Sequence, residues 1–280
     1  IKDFIDEKKI MKIENTNAII TGATGGIGRR FAQHLVENGA SVLLVARDTQ
    51  ALVELSNNLV NQQSINPAQV SYFSCDLLDN EQRERLITQI ENAPKPINTL
   101  INSAGDNQFS FLEDTPDKKI EQIIKLNTIT PILLSKALLG HLSKQSDAQI
   151  VNIGSTFGSI GYPGFSSYCA SKYALRGFSE ALGRELSETK VKVKYLSPRA
   201  TNTQLSTDNI IAMNKELNVA MDSPDEVAEQ LLHLLVSDKS ELAIGWPEKF
   251  FSKLNQVLPN LVSKAITKQL PTIRRHAGIV

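Results

Sequence analysis

Short apolar runs recur along the chain, and most are followed by a stretch in which apolar positions return every three or four residues. The runs Ala18-Ile19-Ile20, Val42-Leu43-Leu44-Val45, Val70-Ser71-Tyr72-Phe73, Asn98-Thr99-Leu100-Ile101, Ile150-Val151-Asn152-Ile153, Val191 to Leu196 and Leu242-Ala243-Ile244 read as strands. Helical spacing runs through Phe31, Leu35 and Val36, through Ala51, Leu52, Leu55 and Leu59, and from Glu81 to Ile90. It returns from Asp117 to about Leu142, from Tyr168 to about Ser187, and through Val236 after the capping sequence Asp222-Ser223-Pro224-Asp225. Strands alternating with helices of this length predict an α/β fold, a single parallel, doubly wound sheet with helices on both faces. No repeat, linker or low-complexity tract interrupts it.

The last stretch departs from this rhythm. Phe250, Phe251, Leu254, Val257, Leu258, Leu261, Val262, Ala265 and Ile266 recur at helical spacing with Lys253, Lys264 and Lys268 among them, after Trp246-Pro247. Pro259 predicts two shorter helices rather than one. Such a basic amphipathic extension packs on its own protein, caps a pocket, meets a partner subunit or lies on a membrane surface. At the other end, Met11 begins an ordinary opening before the first strand, so residues 1–10 are set aside as a leader.

Composition narrows the function classes. With 280 residues, 41% hydrophobic and 21% charged, the chain buries a sizeable core. Thirty basic residues balance thirty acidic ones, so no global field points to nucleic acid. Cys75 and Cys169 match no metal-ligand or redox spacing, which fits a reducing compartment and no metal site. No apolar run approaches the ~20 residues that cross a bilayer, so the expected location is the cytoplasm, with the extension as a peripheral membrane contact.

Candidate chemistry sits where strands end. Thr21-Gly22-Ala23-Thr24-Gly25-Gly26-Ile27-Gly28 joins a strand to a helix, the arrangement in which glycines let backbone approach a pyrophosphate. Its spacing differs from G-x-G-x-x-G, and an ordinary glycine-rich turn is the alternative. After the second strand comes Arg47-Asp48, where an arginine selects a 2′-phosphate and an acid a free 2′-hydroxyl. Asp48 also precedes a helix and serves as an N-cap, which favours Arg47 and NADP over NAD. Cys75-Asp76-Leu77 ends the third strand, and Asp76 either faces an adenine or closes its loop. Asn102-Ser103-Ala104-Gly105 follows the fourth and would let a cofactor lie against backbone. Pro131 removes an amide inside the long helix and frees carbonyls near Asn127.

Ser155 lies in the small-residue loop after the fifth strand, and thirteen positions on stand Tyr168 and Lys172, four apart on one helical face. An ammonium beside a phenol draws the phenol's pKa from ~10 toward working pH. A half-buried ring beside a snorkelling amine gives the same spacing.

From Thr16 to Ile244 these residues resemble the short-chain dehydrogenase/reductase family: Thr21-Gly22-x-x-x-Gly26-x-Gly28, Asn102-Ser103-Ala104-Gly105, Asn127, Ser155, Tyr168-x-x-x-Lys172, and Pro198 with Thr203. The resemblance implies a Rossmann-type sheet of about seven strands in the order 3-2-1-4-5-6-7 over 11–245, followed by the helical extension 246–280. It also implies a tetrad in which Asn127 holds a helix kink and a water, Ser155 binds a carbonyl oxygen, Tyr168 is the acid, and Lys172 lowers its pKa and binds the nicotinamide ribose. By the same resemblance Thr21, Gly22, Thr24, Gly26, Ile27, Gly28, Arg47, Asp76, Leu77, Asn102, Ala104, Gly105, Pro198 and Thr203, with Tyr168 and Lys172, hold NADP, and the protein is a homodimer or homotetramer.

Two positions depart from the family's pattern. Ser103 stands where asparagine is commoner, and Arg199 follows Pro198 where glycine is commoner. Arg199 either points to the pocket mouth, where it would bind a substrate anion, or turns outward to a surface acid. The expected reaction is hydride transfer between NADPH and a carbonyl or alcohol. Leu205, Ile210, Ile211, Met213, Leu217, Val219 and Met221 give an apolar pocket wall and favour a hydrophobic, acyl-chain or ketoacyl substrate. A dinucleotide sensor without turnover and a membrane-surface scaffold are the alternatives from other classes.

Overall fold

A computed structural model describes residues 11–63 and 65–278, so the expected leader at 1–10 lies outside the described residues. Seven parallel strands, β1 Asn17–Thr21, β2 Ser41–Ala46, β3 Val70–Ser74, β4 Thr99–Asn102, β5 Ala148–Ile153, β6 Val191–Ser197 and β7 Glu241–Ala243, form one sheet in the order β3-β2-β1-β4-β5-β6-β7. The order reverses between β1 and β4, with Ile19 opposite Leu43 on one side and Leu100 on the other. Beyond the C-terminal ends of these two strands a crevice opens, the place where sheets of this kind hold ligands.

The continuous apolar runs reflect burial on both faces. Ala18, Ile20, Val42, Leu44 and Val151 face one core, completed by helices α1 Gly26–Glu37, α2 Thr49–Gln63 and α8 Pro224–Leu235. Ile19, Leu43, Val45, Leu100 and Ile150 face the other, covered by α3 Asn80–Glu91 and by Leu134, Leu138 and Leu142. The expected cap before α8 is a capping box between Ser223 and Glu226.

The helix expected from Asp117 to Leu142 divides into α4 Asp117–Ile124, a π-helical turn Lys125–Ile129, and α5 Thr130–Leu142. By length and composition this 26-residue stretch is apolar enough to cross a membrane, contrary to the reading that no run approaches that length. Its partners are protein: Asn127 is wholly buried and hydrogen-bonded to α6, Ser166–Glu185, and α5 lies on the sheet.

Two further segments shape the site. Helix α7, Asp208–Glu216, carries buried Ile210 and Met213. The extension breaks at Pro259, as expected, into α9 Glu248–Val257 and α10 Pro259–Thr267, and continues into a third helix, α11 Leu270–His276, that the spacing does not announce.

Candidate active site

The glycine loop is built by close backbone packing. A Cβ on Gly22, whose φ is +67°, would stand 2.7 Å from the Cα of Ala104, and one on Gly28 would run into the Gly22 carbonyl. A Cβ on Gly26 would lie 3.0 Å from the Thr203 side chain, so its absence keeps the gap between α1 and the Thr203 loop open. Gly25 at the N-cap offers no side chain to the first amides of α1. A cleft of ≈ 330 Å³ follows, walled by the glycine loop, Arg47, Asp76, Leu77, Ala104, Gly105 and Thr203. Bare helix amides, a glycine floor and an arginine at the rim fit a dinucleotide diphosphate.

Thr21 and Asn102 are placed beneath this cleft rather than on its wall. The Thr21 hydroxyl accepts from the amides of Ser103 and Ala104 at 3.0 and 3.1 Å, tying β1 to the loop after β4. Asn102 is buried and donates to Asn152 at 2.8 Å. Asp48 is the N-cap expected for α2, accepting from the amide of Ala51 at 3.0 Å. Arg47 beside it is exposed and, among the described residues, makes no ion pair. Asp76 closes its loop by accepting from the amide of Leu78 at 3.0 Å and also lines the cleft.

A second, mainly apolar cavity of ≈ 450 Å³ adjoins the first, and Ile27, Thr203 and Leu205 line both. Ser155, Tyr168 and Pro198 line the second cavity. Ser155 Oγ caps a 3-10 turn by accepting from the Phe157 amide at 3.1 Å. The half-buried Tyr168 ring meets Phe157 and Phe165 edge-on, with centroids 6.3 and 6.4 Å away. Lys172, 5% exposed, donates from Nζ to the Ile153 carbonyl at 2.8 Å and lies 5.7 Å from the Tyr168 ring centroid. Asn127 donates to the Asp106 carbonyl at 2.8 Å and to Ser171 Oγ at 3.0 Å. Its Oδ1 accepts from the Asp106 amide, and Ser171 Oγ donates in turn to the Tyr168 carbonyl at 2.7 Å. The π turn thereby fixes both the β4 loop and the helix that carries Tyr168.

The electrostatics correct one expectation. Desolvation by the surrounding rings pushes the Tyr168 phenol up to about 12, and the hydrogen bond with Ser155 works only partly against it. Burial brings Lys172 down to about 8. Desolvation is the largest influence on both groups, and it moves the phenol away from working pH.

Arg199 is held by carboxylates. Its Nε and Nη2 both reach Asp222 Oδ1, at 2.8 and 2.6 Å, and Nη1 reaches Glu248 at 3.3 Å and the Trp246 carbonyl at 3.2 Å. Asp222 is 4% exposed, so the acid that the guanidinium meets is a buried one, while Arg199 itself lines the apolar cavity. It clamps the start of the extension to the loop after β6.

Other contributors escaped the sequence reading. Tyr195 of β6 wedges beneath the Ser155 loop, where a Cβ on Gly154 or Gly158 would collide with it. Phe109 stacks on Phe165, a residue of the cavity wall, at 5.0 Å. Asp106 holds Lys119 at 2.6 Å and Gln122 at 2.8 Å. Only the loop spacing Gly154-x-x-x-Gly158 signals any of these in one dimension.

Comparison with known proteins follows the same lines. The chain is 33% identical to a fatty acyl-CoA reductase of Acinetobacter baylyi over 229 residues, 81% of this chain and 75% of the relative. It is 32% identical to a 3-oxoacyl-(acyl-carrier-protein) reductase of Haemophilus influenzae over 189 residues, 68% of this chain and 75% of the relative. A short chain dehydrogenase/reductase of Burkholderia phymatum, solved in complex with NAD, superposes with a TM-score of 0.80 at 21% identity, covering 90% of this chain and 96% of that one, and shares the fold. The family profile described as short chain dehydrogenase matches residues 16–213. With this match over a sheet, loop and cleft of that form, the chain belongs to the short-chain dehydrogenase/reductase family of oxidoreductases.

Proposed function

We propose that this enzyme transfers hydride between NADP(H) and the carbonyl or alcohol carbon of a hydrophobic, acyl-chain substrate. One observation carries the reading: Ser155 and Tyr168 line an apolar cavity that adjoins the glycine-loop cleft across Ile27, Thr203 and Leu205. Gly22, Thr24, Gly26, Ile27 and Gly28 would hold the diphosphate, Asp76 and Leu77 the adenine end, and Ala104, Gly105, Pro198 and Thr203 the nicotinamide end. Thr21 and Asn102 support the floor from below. Bound there, the nicotinamide supplies or accepts the hydride.

The chain's own residues do the rest. Ser155 donates to the carbonyl oxygen and holds it beside Tyr168. As negative charge grows on that oxygen, Tyr168 passes it a proton, and two placed donors form an oxyanion site. A phenol near 12 stays protonated throughout neutral pH, which suits a proton donor in the reducing direction. The Lys172 ammonium lies 5.7 Å from the Tyr168 ring centroid, and Asn127 fixes the Tyr168 helix through Ser171.

Arg47 supports the choice of NADP. It lines the cleft and, among the described residues, pairs with no carboxylate, while Asp48 is engaged as an N-cap. Arg47→Ala is expected to weaken NADPH binding at least tenfold and NADH little; equal effects on both would contradict the 2′-phosphate assignment. For the substrate, the apolar cavity and the names of the two bacterial relatives both favour acyl chains. A carbonyl panel followed by NADPH absorbance should show kcat/KM rising with chain length among aldehydes and acyl thioesters. Equal rates on short and long chains would remove the acyl-chain assignment.

A further inference from the structure

We propose that the outer face of α9 and α10 is a docking surface for anionic lipid, seating the molecule on a membrane with its apolar cavity at the interface. The two helices are anchored on their inner face. Arg199 holds Glu248, Asn255 donates to the Ser159 carbonyl at 2.9 Å, and Tyr162 donates to Gln269 at 2.9 Å. At the far end Glu216 of α7 holds Thr272, Arg275 and His276.

The opposite face is apolar and uncovered. Val257 is 76% and Trp246 71% exposed, with Leu261, Leu258 and Phe250 each about half exposed. Scattered single apolar residues on a surface are ordinary, but five between Trp246 and Leu261, on α9, on α10 and just before each, form a patch that calls for a partner.

The charges select the partner. From Trp246 to Lys268 the sequence carries Lys249, Lys253, Lys264 and Lys268 and a single carboxylate, Glu248. Arg199 already engages Glu248, while the four lysines are exposed and, among the described residues, make no ion pair. The chain as a whole is neutral, so this is a local excess of positive charge. A second copy docking on the same face about a two-fold axis would bring like charges together. Lipid headgroups of negative charge satisfy the lysines while indole, phenyl and aliphatic side chains enter the headgroup boundary. Phe251 and Ala265, both exposed, belong to the cavity wall as well, so the cavity reaches the surface beside the patch.

Flotation with vesicles of phosphatidylcholine and phosphatidylglycerol in equal parts, against vesicles of phosphatidylcholine alone, tests the proposal. The full chain should partition at least tenfold better onto the anionic vesicles, and better at low salt than at high. The variant F250E/L261E, neither residue lining the cavity, should lose that partition tenfold or more while keeping its melting temperature and its turnover of a short soluble carbonyl. If that variant fails to fold, K253E/K264E decides by the same partition. No preference for anionic vesicles, or partition untouched by these substitutions, overturns the proposal. So does a wild-type dimer that F250E/L261E converts to monomer in the absence of vesicles, because the patch would then be an interface between copies.

Discussion

At the scale of single residues, Lys172 and Tyr168 show what enclosure does to acid–base groups. Lys172 is almost fully buried with its ammonium on one carbonyl, and its pKa falls from 10.5 to about 8. The folded chain therefore binds fewer protons at this site than the unfolded chain between pH 8 and 10.5, so this group makes stability rise with pH in that window. Below pH 8 the buried charge costs stability, by up to about 3 kcal/mol from a shift of this size, partly offset by the hydrogen bond to Ile153. Lys172→Met is expected to reduce turnover by orders of magnitude while stability at pH 7 holds or rises, and to abolish the rise between pH 8 and 10.5. Urea melts across pH check it; a variant less stable at pH 7 would show that the ammonium's contacts outweigh its desolvation. The pairing of these two side chains was legible, because a four-residue step on a helix fixes their common face. The direction of the phenol's shift was not. It depends on Phe157 and Phe165 closing round the ring, and these contacts arise only when the loop after β5 folds onto α6. Tyr195 escaped for a similar reason: in sequence it is one more position of a strand, and only the collision it would have with a Cβ on Gly154 reveals its place under the loop.

At the scale of elements, the sheet was legible because buried parallel strands are written as unbroken apolar runs and each glycine or small-residue loop marks a strand's C-terminal end. The long helix was half legible. Pro131 announced an irregularity, but the π turn just before it turns Asn127 inward to bind Asp106 and Ser171, and that depends on partners distant in sequence. Pro259 marked the break between α9 and α10, whereas α11 is only seven residues long and gains its place from buried Ile273 and the contacts of Arg275 and His276 with Glu216. The orientation of Arg199 was open because its partners, Asp222 and Glu248, lie 23 and 49 residues away. Arg199→Ala would leave the carboxylate of Asp222 buried without a counter-charge and is expected to cost about 3 kcal/mol. With Glu248 released, the wall formed by Phe251 and Val262 should loosen, raising KM for hydrophobic carbonyls more than it lowers kcat. Thermal melts and steady-state kinetics check both; a loss of activity confined to anionic substrates, with stability unchanged, would return Arg199 to a substrate-binding role.

At the scale of the whole molecule, the crevice where the strand order reverses is divided between two cavities of different chemistry. Glycines, helix amides and Arg47 make one side suited to a charged dinucleotide, and aromatic rings with the extension's helices make the other suited to an apolar chain. The central claim is that a proton crosses from Tyr168 to the substrate oxygen where these cavities meet. The most direct measurement pairs NADPH affinity with the rate of NADPH oxidation on a long-chain aldehyde, for the wild-type chain and for Tyr168→Phe. The account predicts affinities equal within about twofold and a turnover lowered by roughly 10² to 10⁴ in the variant. A Tyr168→Phe chain that binds NADPH and turns over at the wild-type rate would contradict it.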